Sequence, residues 1–204
     1  MRLISLEGGE GAGKSTQLDA LAAHLEALGE AVVQTREPGG SDGAEAIRRL
    51  LVEGSHERWS ATSELFLFLA ARQDHLERVI RPALARGAWV ITDRYWDSTR
   101  VYQGLVGRLG LGDLDNLHER WLAPFRPGLT LLFDLPAEIG LARAHPGRFE
   151  AKGADFHARV RAGFLQLARA EPARFTVIDA QADLATVKAR AKAALDTYRQ
   201  HLAR

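Results

Sequence analysis

Cysteine is absent from the sequence, so a disulfide framework, a thiolate metal site and a cysteine nucleophile are all excluded. Net charge is also scarce: 27 Lys and Arg stand against 26 Asp and Glu, leaving a formal +1. No broad positive field exists to hold nucleic acid or an anionic membrane, so any bound anion must be met by a few placed cations. No stretch approaches the roughly 18 uninterrupted apolar residues of a membrane-spanning helix. The opening Leu3-Ile4-Ser5-Leu6 ends at Glu7, too short for a signal-peptide core. The histidines show no metal-ligand spacing, and His75 reads as structural. These absences point to a cytoplasmic protein that engages neither membrane nor nucleic acid.

What is present suits one globular domain spanning residues 1–204, because 204 residues with 46% hydrophobic content can bury a sizeable core. Short apolar runs at Leu3–Glu7, Ala31–Arg36, Trp89–Asp93, Leu129–Leu135 and Phe175–Asp179 read as strands buried on both faces. Helical stretches separate them at Lys14–Leu28, Ala44–Val52, Ala61–Ala85, Leu114–Leu122, Pro136–Ala144, Phe156–Ala170 and Leu184–Leu202. This alternation predicts right-handed βαβ units and an α/β fold: a three-layer arrangement with a parallel sheet between helices. Ligands of such sheets collect at the carboxyl ends of the strands.

Directly after the first strand stands Gly8-Gly9-Glu10-Gly11-Ala12-Gly13-Lys14-Ser15-Thr16, which satisfies G-x-x-x-x-G-K-[ST] in its required strand–helix context. The glycines let backbone N–H groups curl into an anion nest, and the helix that follows aims its positive end at the same point. Lys14 supplies a cation for the β- and γ-phosphates, and Ser15 a hydroxyl ligand for Mg²⁺. A P-loop NTPase fold with bound ATP is the expectation.

The strand Trp89–Asp93 delivers a carboxylate and then Arg94. Asp93 suits the Mg²⁺ of a P-loop, and a guanidinium at 94 can grip a phosphate in bidentate fashion. In the stripe Leu65, Phe68, Leu69, Leu76, Val79 and Ile80, Arg72 falls one turn after Phe68, where an apolar residue is expected. An aromatic plate beside an arginine fork suits a flat heterocycle. The loop Glu37–Gly43 follows the second strand, with Arg48 as a further phosphate candidate. The basic segment holding Arg143, Arg148, Lys152, Arg159 and Arg161 around Pro146-Gly147 and Gly153 reads as a lid over residues of about 143–155.

Taken together, the P-loop, Thr35-Arg36-Glu37-Pro38-Gly39-Gly40, Phe68-Leu69-Ala70-Ala71-Arg72 and Asp93-Arg94-Tyr95-Trp96-Asp97-Ser98-Thr99-Arg100-Val101-Tyr102-Gln103-Gly104 resemble the bacterial thymidylate kinase family, in order and over nearly the whole chain. The resemblance implies the nucleoside-monophosphate-kinase version of the P-loop fold, with five parallel strands, and a homodimer. It also implies the reaction ATP + dTMP → ADP + dTDP with Mg²⁺. By the same resemblance Phe68 stacks on thymine, Arg72 bonds its carbonyl edge, and Arg94 and Arg48 hold the dTMP phosphate. Glu10 lies near the 3′-hydroxyl, Ser98, Thr99 and Gln103 border the base, Tyr102 underlies the sugar, and Glu37 belongs to the substrate site. Family members differ in the source of the catalytic arginine. The P-loop position some of them use is Gly11 here, which implies lid arginines, Arg143 or Arg148. Where many relatives read Asp-Arg in the lid, this chain has Gly147-Arg148.

The acceptor of that reaction is a phosphate already largely dianionic at neutral pH, its second pKa lying near 6. It needs no general base, and the sequence offers none. The task is to offset repulsion between two anions. The same motifs could serve a P-loop kinase for another small acceptor; a nucleotide-gated switch fits less well, because Phe68, Arg72 and Arg94 have no purpose there.

Overall fold

The computed structural model describes residues 1–55, 57–122, 125–143 and 147–203. The expected lid centre at Pro146 and the expected helix end at Ala144 lie outside those residues. Five parallel strands form one sheet in the order β2-β3-β1-β4-β5: β1 Leu3–Glu7, β2 Val32–Arg36, β3 Trp89–Asp93, β4 Leu129–Asp134 and β5 Phe175–Asp179.

Alternate strand residues feed opposite cores, as the two-residue period of a strand requires. Ile4, Leu6, Ile91, Leu131 and Phe133 pack under Leu21, Ala22 and Leu25 of α1 (Lys14–Ala27) and Val187, Ala191 and Leu195 of α9 (Leu184–Leu202). Leu3 and Val90 face the other way. They meet Leu65 of α3 (Ala61–His75), Ala83 of α4 (Arg81–Ala85) and Leu114 of α6 (Leu111–Trp121). Next to them Leu132 packs on Val160, Phe164 and Leu167 of α8 (Ala154–Ala170). Burial on both faces is why β1, β3 and β4 read as continuous apolar runs. The edge strands β2 and β5 depart from that expectation: Gln34 and Arg36, and Val177 and Asp179, are exposed because each strand has a neighbour on one side only.

Two segments depart from the expected elements. The long helix expected over Ala61–Ala85 is interrupted by a π-helical turn, Leu76–Ile80, between α3 and α4. Pro82 lacks an N–H and its ring would crowd the carbonyl four residues back, so a widened turn ahead of it relieves both problems. The stretch after β3 is helical: α5 (Trp96–Thr99) runs into a π-helical segment, Arg100–Val106. It mixes buried polar and apolar residues without a regular stripe, so periodicity does not reveal it.

Strand register does most of the work of assembling the site. Leu6 pairs with Asp93 in the β1–β3 ladder and Arg36 pairs with Asp93 in the β2–β3 ladder. The three loops that leave β1, β2 and β3 therefore start side by side. The Glu37 N–H donates to the Asp93 carbonyl (2.9 Å) and the Arg94 N–H to the Leu6 carbonyl (3.0 Å), extending that alignment past the strand ends. α5 is tied down by a buried polar cluster: Asp97 accepts from Arg174 Nη2 (2.6 Å) and Thr130 Oγ1 (3.0 Å). Fully partnered, this carboxylate avoids the penalty of a bare buried charge.

Candidate active site

The phosphate loop, residues 8–13, leads into α1. Lys14 is buried, and its Nζ donates to the Gly9 carbonyl (2.8 Å) and the Gly8 carbonyl (3.3 Å), curling over the loop. Burial lowers the Lys14 pKa, with Arg94 acting in the same sense and Asp93 and Glu10 opposing. Ala12 is buried, whereas Ser15 and Thr16 are exposed in the first turn of α1. Ser15 Oγ donates to Asp93 Oδ2 (3.2 Å), while Asp93 Oδ1 is buried without a partner among the described residues. An acceptor-only oxygen buried and unsatisfied, beside a hydroxyl at the mouth of a phosphate loop, fits a hard divalent cation. Among the described residues no cluster of three or more His, Cys, Asp or Glu could hold a metal, so such a cation would complete its shell from phosphate and water.

Arg94 links this loop to a second site. Its backbone sits at φ 68°, a left-handed conformation rare outside glycine. The next N–H, of Tyr95, is caught by Glu7 Oε1 (2.8 Å), and Thr92 Oγ1 donates to the Arg94 carbonyl (2.8 Å). So pinned, the side chain reaches the Gly8 carbonyl through Nη1 (3.0 Å) and Glu10 Oε1 through Nη2 (2.7 Å). Burial works against the Arg94 cation, but Glu10, Tyr102, Asp93 and Glu7 together raise its pKa. Glu10 shows the converse: burial opposes its charge, yet Arg94 and Lys14 bring it down to about 2. Glu7 is buried beneath them and accepts from Ser98 Oγ (2.6 Å). Burial and the neighbouring Asp97 push it up to about 8.

Beside Arg94 opens a cavity of about 380 Å³, lined among others by Glu10, Glu37, Arg48, Phe68, Arg72, Arg94, Ser98, Thr99, Tyr102, Gln103 and Arg148. Every residue expected at the acceptor is thus brought to one chamber. Arg48 Nη1 donates to the Pro38 carbonyl (2.7 Å), and burial lowers its pKa. Arg72 is buried against Glu37, Thr99 and the Tyr95 carbonyl, at 2.6, 2.9 and 3.2 Å. Glu37 is oriented in turn by His75 Nδ1 (3.1 Å), whose Nε2 meets Thr35 Oγ1 at 2.6 Å. His75, read from the sequence as structural, thus makes its contact with a residue of the chamber. Tyr102 OH donates to Glu10 Oε1 (3.2 Å), and burial raises its pKa.

The two arginines expected to act from a lid diverge. Arg148 is buried in the wall of the cavity, donating to the Leu51 and Ser55 carbonyls (both 3.0 Å) and pairing with Glu64 Oε2 (2.7 Å). Arg143 ends α7 (Ala137–Arg143), exposed and outside the cavity lining. Sequence reasoning passed over two residues here. Phe149 stands 6.3 Å from Phe68 and 6.0 Å from Tyr102, ring to ring. Glu64 precedes Phe68 by four residues, so helical spacing places it on the face that carries Phe68 and Arg72. That spacing was a usable signal.

A phosphate loop after the central strand, with a separate polar and aromatic chamber one arginine away, defines a P-loop phosphotransferase of the nucleoside-monophosphate-kinase kind. The model of one family, Thymidylate kinase, matches residues 6–191. The thymidylate kinase of Caulobacter vibrioides is 57% identical over 190 residues, covering 91% of both chains, and that of Dinoroseobacter shibae is 55% identical over 197 residues, covering 92% of this chain and 93% of the relative. The crystal structure of thymidylate kinase from Ehrlichia chaffeensis superposes with a TM-score of 0.77 at 32% identity, covering 95% of this chain and 97% of that one. The chain belongs to the thymidylate kinase family. Its activity is the ATP-dependent phosphorylation of dTMP to dTDP, a step in dTTP synthesis.

Proposed function

We propose that the chain carries out this transfer with ATP on the P-loop and dTMP in the chamber between Phe68 and Arg94. One observation carries the reading: Arg94 touches the Gly8 carbonyl of the phosphate loop with one Nη and Glu10 of the chamber with the other. A single fixed guanidinium thereby stands at the junction where the γ-phosphate and the acceptor phosphate meet.

In this reading residues 8–16 hold the ATP phosphates. Ser15 and Asp93 would hold Mg²⁺, which would supply neutralisation of phosphate charge. Arg48 and Arg94 grip the dTMP phosphate, Phe68 stacks on the base, and Arg72 donates to its carbonyl edge. Glu37, Ser98, Thr99 and Gln103 complete the chamber, with Tyr102 and Glu10 at the sugar. Lys14 and Arg94 stabilise the charge that spreads over the transferring group, and nothing needs to remove a proton. Arg148 is held by Glu64, which leaves Arg143 to serve the donor side. Its helix favours that role, since Gly140, one turn earlier, abuts Gly11 of the phosphate loop.

We also assign residues 1–204 to one domain with a lid at about 143–155, and place the enzyme in the cytoplasm. Among the described residues no helix is long and apolar enough to cross a membrane. Exposed Leu50 on α2 (Asp42–Val52) and Phe66 on α3 favour a homodimer. Light scattering after size exclusion tests the dimer. An ADP-release assay over dTMP, dUMP, CMP, UMP and AMP tests the acceptor: dTMP should lead CMP, UMP and AMP by a wide margin, and equal rates would remove it.

A further inference from the structure

Glu64 is buried at the start of α3, and its two carboxylate oxygens are used differently. Oε2 is 2.7 Å from Arg148 Nη2, and Oε1 accepts from Gln103 Nε2 at 2.9 Å. As the anionic half of an ion pair, Glu64 accepts hydrogen bonds and cannot give one. It therefore dictates which end of the Gln103 amide faces it: the NH₂. Gln103 is itself buried and lines the chamber, and no described residue donates to its Oε1. The free end of the amide is an acceptor.

Arg72 stands on the same chamber with the opposite character. Its Nε is spent on Glu37, one N–H of Nη1 on Thr99 and one of Nη2 on Tyr95. Of five N–H groups two remain, one on each terminal nitrogen, and both are donors. A fixed donor beside a fixed acceptor is complementary to a pyrimidine imide, C=O next to N3–H. It is anti-complementary to cytosine, which presents an amino group next to a bare N3.

We infer that Glu64 is a specificity-determining positioning residue: by locking the Gln103 amide with its oxygen toward the ligand, it makes the chamber accept thymine-type imides and reject cytosine. This rests on the reading that the base of dTMP lies against Arg72 and Gln103. Arg148 holds the other carboxylate oxygen of Glu64 at 2.7 Å and so fixes its position, giving the lid segment a part in base selection. The side chain of Glu64 touches Gln103, not the nucleotide, so it acts only through that amide.

The test compares dTMP with 5-methyl-dCMP, which has the same outline and differs at N3 and the 4-position. The wild type should favour dTMP in kcat/KM by at least about a hundredfold. Glu64→Gln can offer Gln103 either a donor or an acceptor, so the amide is free to turn and the preference should narrow about tenfold or more. Glu64→Asp, still an acceptor only, should keep it. Gln103→Met should narrow it as well. If Gln103→Met narrows the preference and Glu64→Gln lowers both substrates by the same factor, Glu64 is only an anchor and the inference falls. If Gln103→Met leaves the preference intact, the base is not read there and the underlying reading falls with it.

A measurement on the wild type avoids any dependence on the folding of the variant. The Gln103 side-chain NH₂ signals, assigned by their loss in Gln103→Met, should barely move when dTMP is added, because that group faces Glu64. A shift as large as those of the phosphate-loop amides would show the NH₂ turned to the base and would overturn the lock.

Discussion

Gly11 and Gly140 meet backbone to backbone: a Cβ on Gly11 would overlap the Gly140 carbonyl oxygen, and a Cβ on Gly140 would overlap the carbonyl oxygen of Glu10. The phosphate loop and α7 are therefore in direct contact, with no side chain between them. This explains in structural terms why the position after the P-loop acidic residue carries no arginine here. There is no room for one while α7 keeps its place.

Gly11→Ala is expected to destabilise the fold by more than the ~1–2 kcal/mol cost of a left-handed L-residue, because Gly140 must also move. Gly13, at φ 81° with open space around it, is the control, since Gly13→Ala incurs the backbone strain alone. Thermal unfolding of the two variants side by side gives the comparison. An equal loss of Tm would show that the contact is unimportant.

Arg94→Ala should lower turnover by about 10³-fold or more, by comparison with other arginines that stabilise phosphoryl transfer. ATP affinity should change little, because Lys14 and the loop amides remain. Calorimetric titration of ATP into the variant checks the second half. Collapse of ATP binding would place Arg94 on the donor side instead.

Phe68→Ala should weaken dTMP binding by roughly ten- to a hundredfold, the range of a lost base–aromatic stack of ~1–3 kcal/mol. Its ring also meets Phe149, so part of the loss would reflect a looser chamber wall. The KM for dTMP reports it, and an unchanged value would return Phe68 to a packing role.

His118 is fully buried, 4.6 Å from Trp96 ring to ring, with neither ring nitrogen partnered among the described residues. Burial lowers its pKa to about 3, with Arg72 and Arg126 acting in the same sense. Between pH 6.5 and 3 the unfolded chain binds a proton there that the folded chain refuses, so stability falls as the pH falls through that window. The slope from this one group is at most about 1.4 kcal/mol per pH unit. His118→Phe should remove that component, which denaturant unfolding at pH 7 and pH 5 would reveal. An unchanged pH dependence would show that another group is responsible.

The strands, the phosphate loop and the Asp93-Arg94 pair were legible from residues alone because each is local. A buried parallel strand is a short apolar run, and an anion nest needs its glycines and lysine within nine consecutive residues. Arg72 betrayed itself by standing in an apolar stripe. Glu64 could have been found the same way, four residues before Phe68, but a charged residue in a first helical turn is also what any helix favours. The helical stretch after β3 stayed hidden because its buried polar residues answer to partners far away in the chain, as Asp97 does to Arg174.

Residue types along the chain were enough to read the fold class and the phosphate-loop motif, since these follow from short-range pattern, and the motifs in their order carried the resemblance to the family. Contacts between distant segments decided the rest: that Arg148 turns inward to Glu64 rather than toward the phosphate loop, that His75 steadies Glu37, and that Gln103 offers an oxygen instead of an amine. Each of those outcomes depends on which groups lie within about 3 Å after the helices have packed on the sheet, a distance that no spacing in the chain encodes.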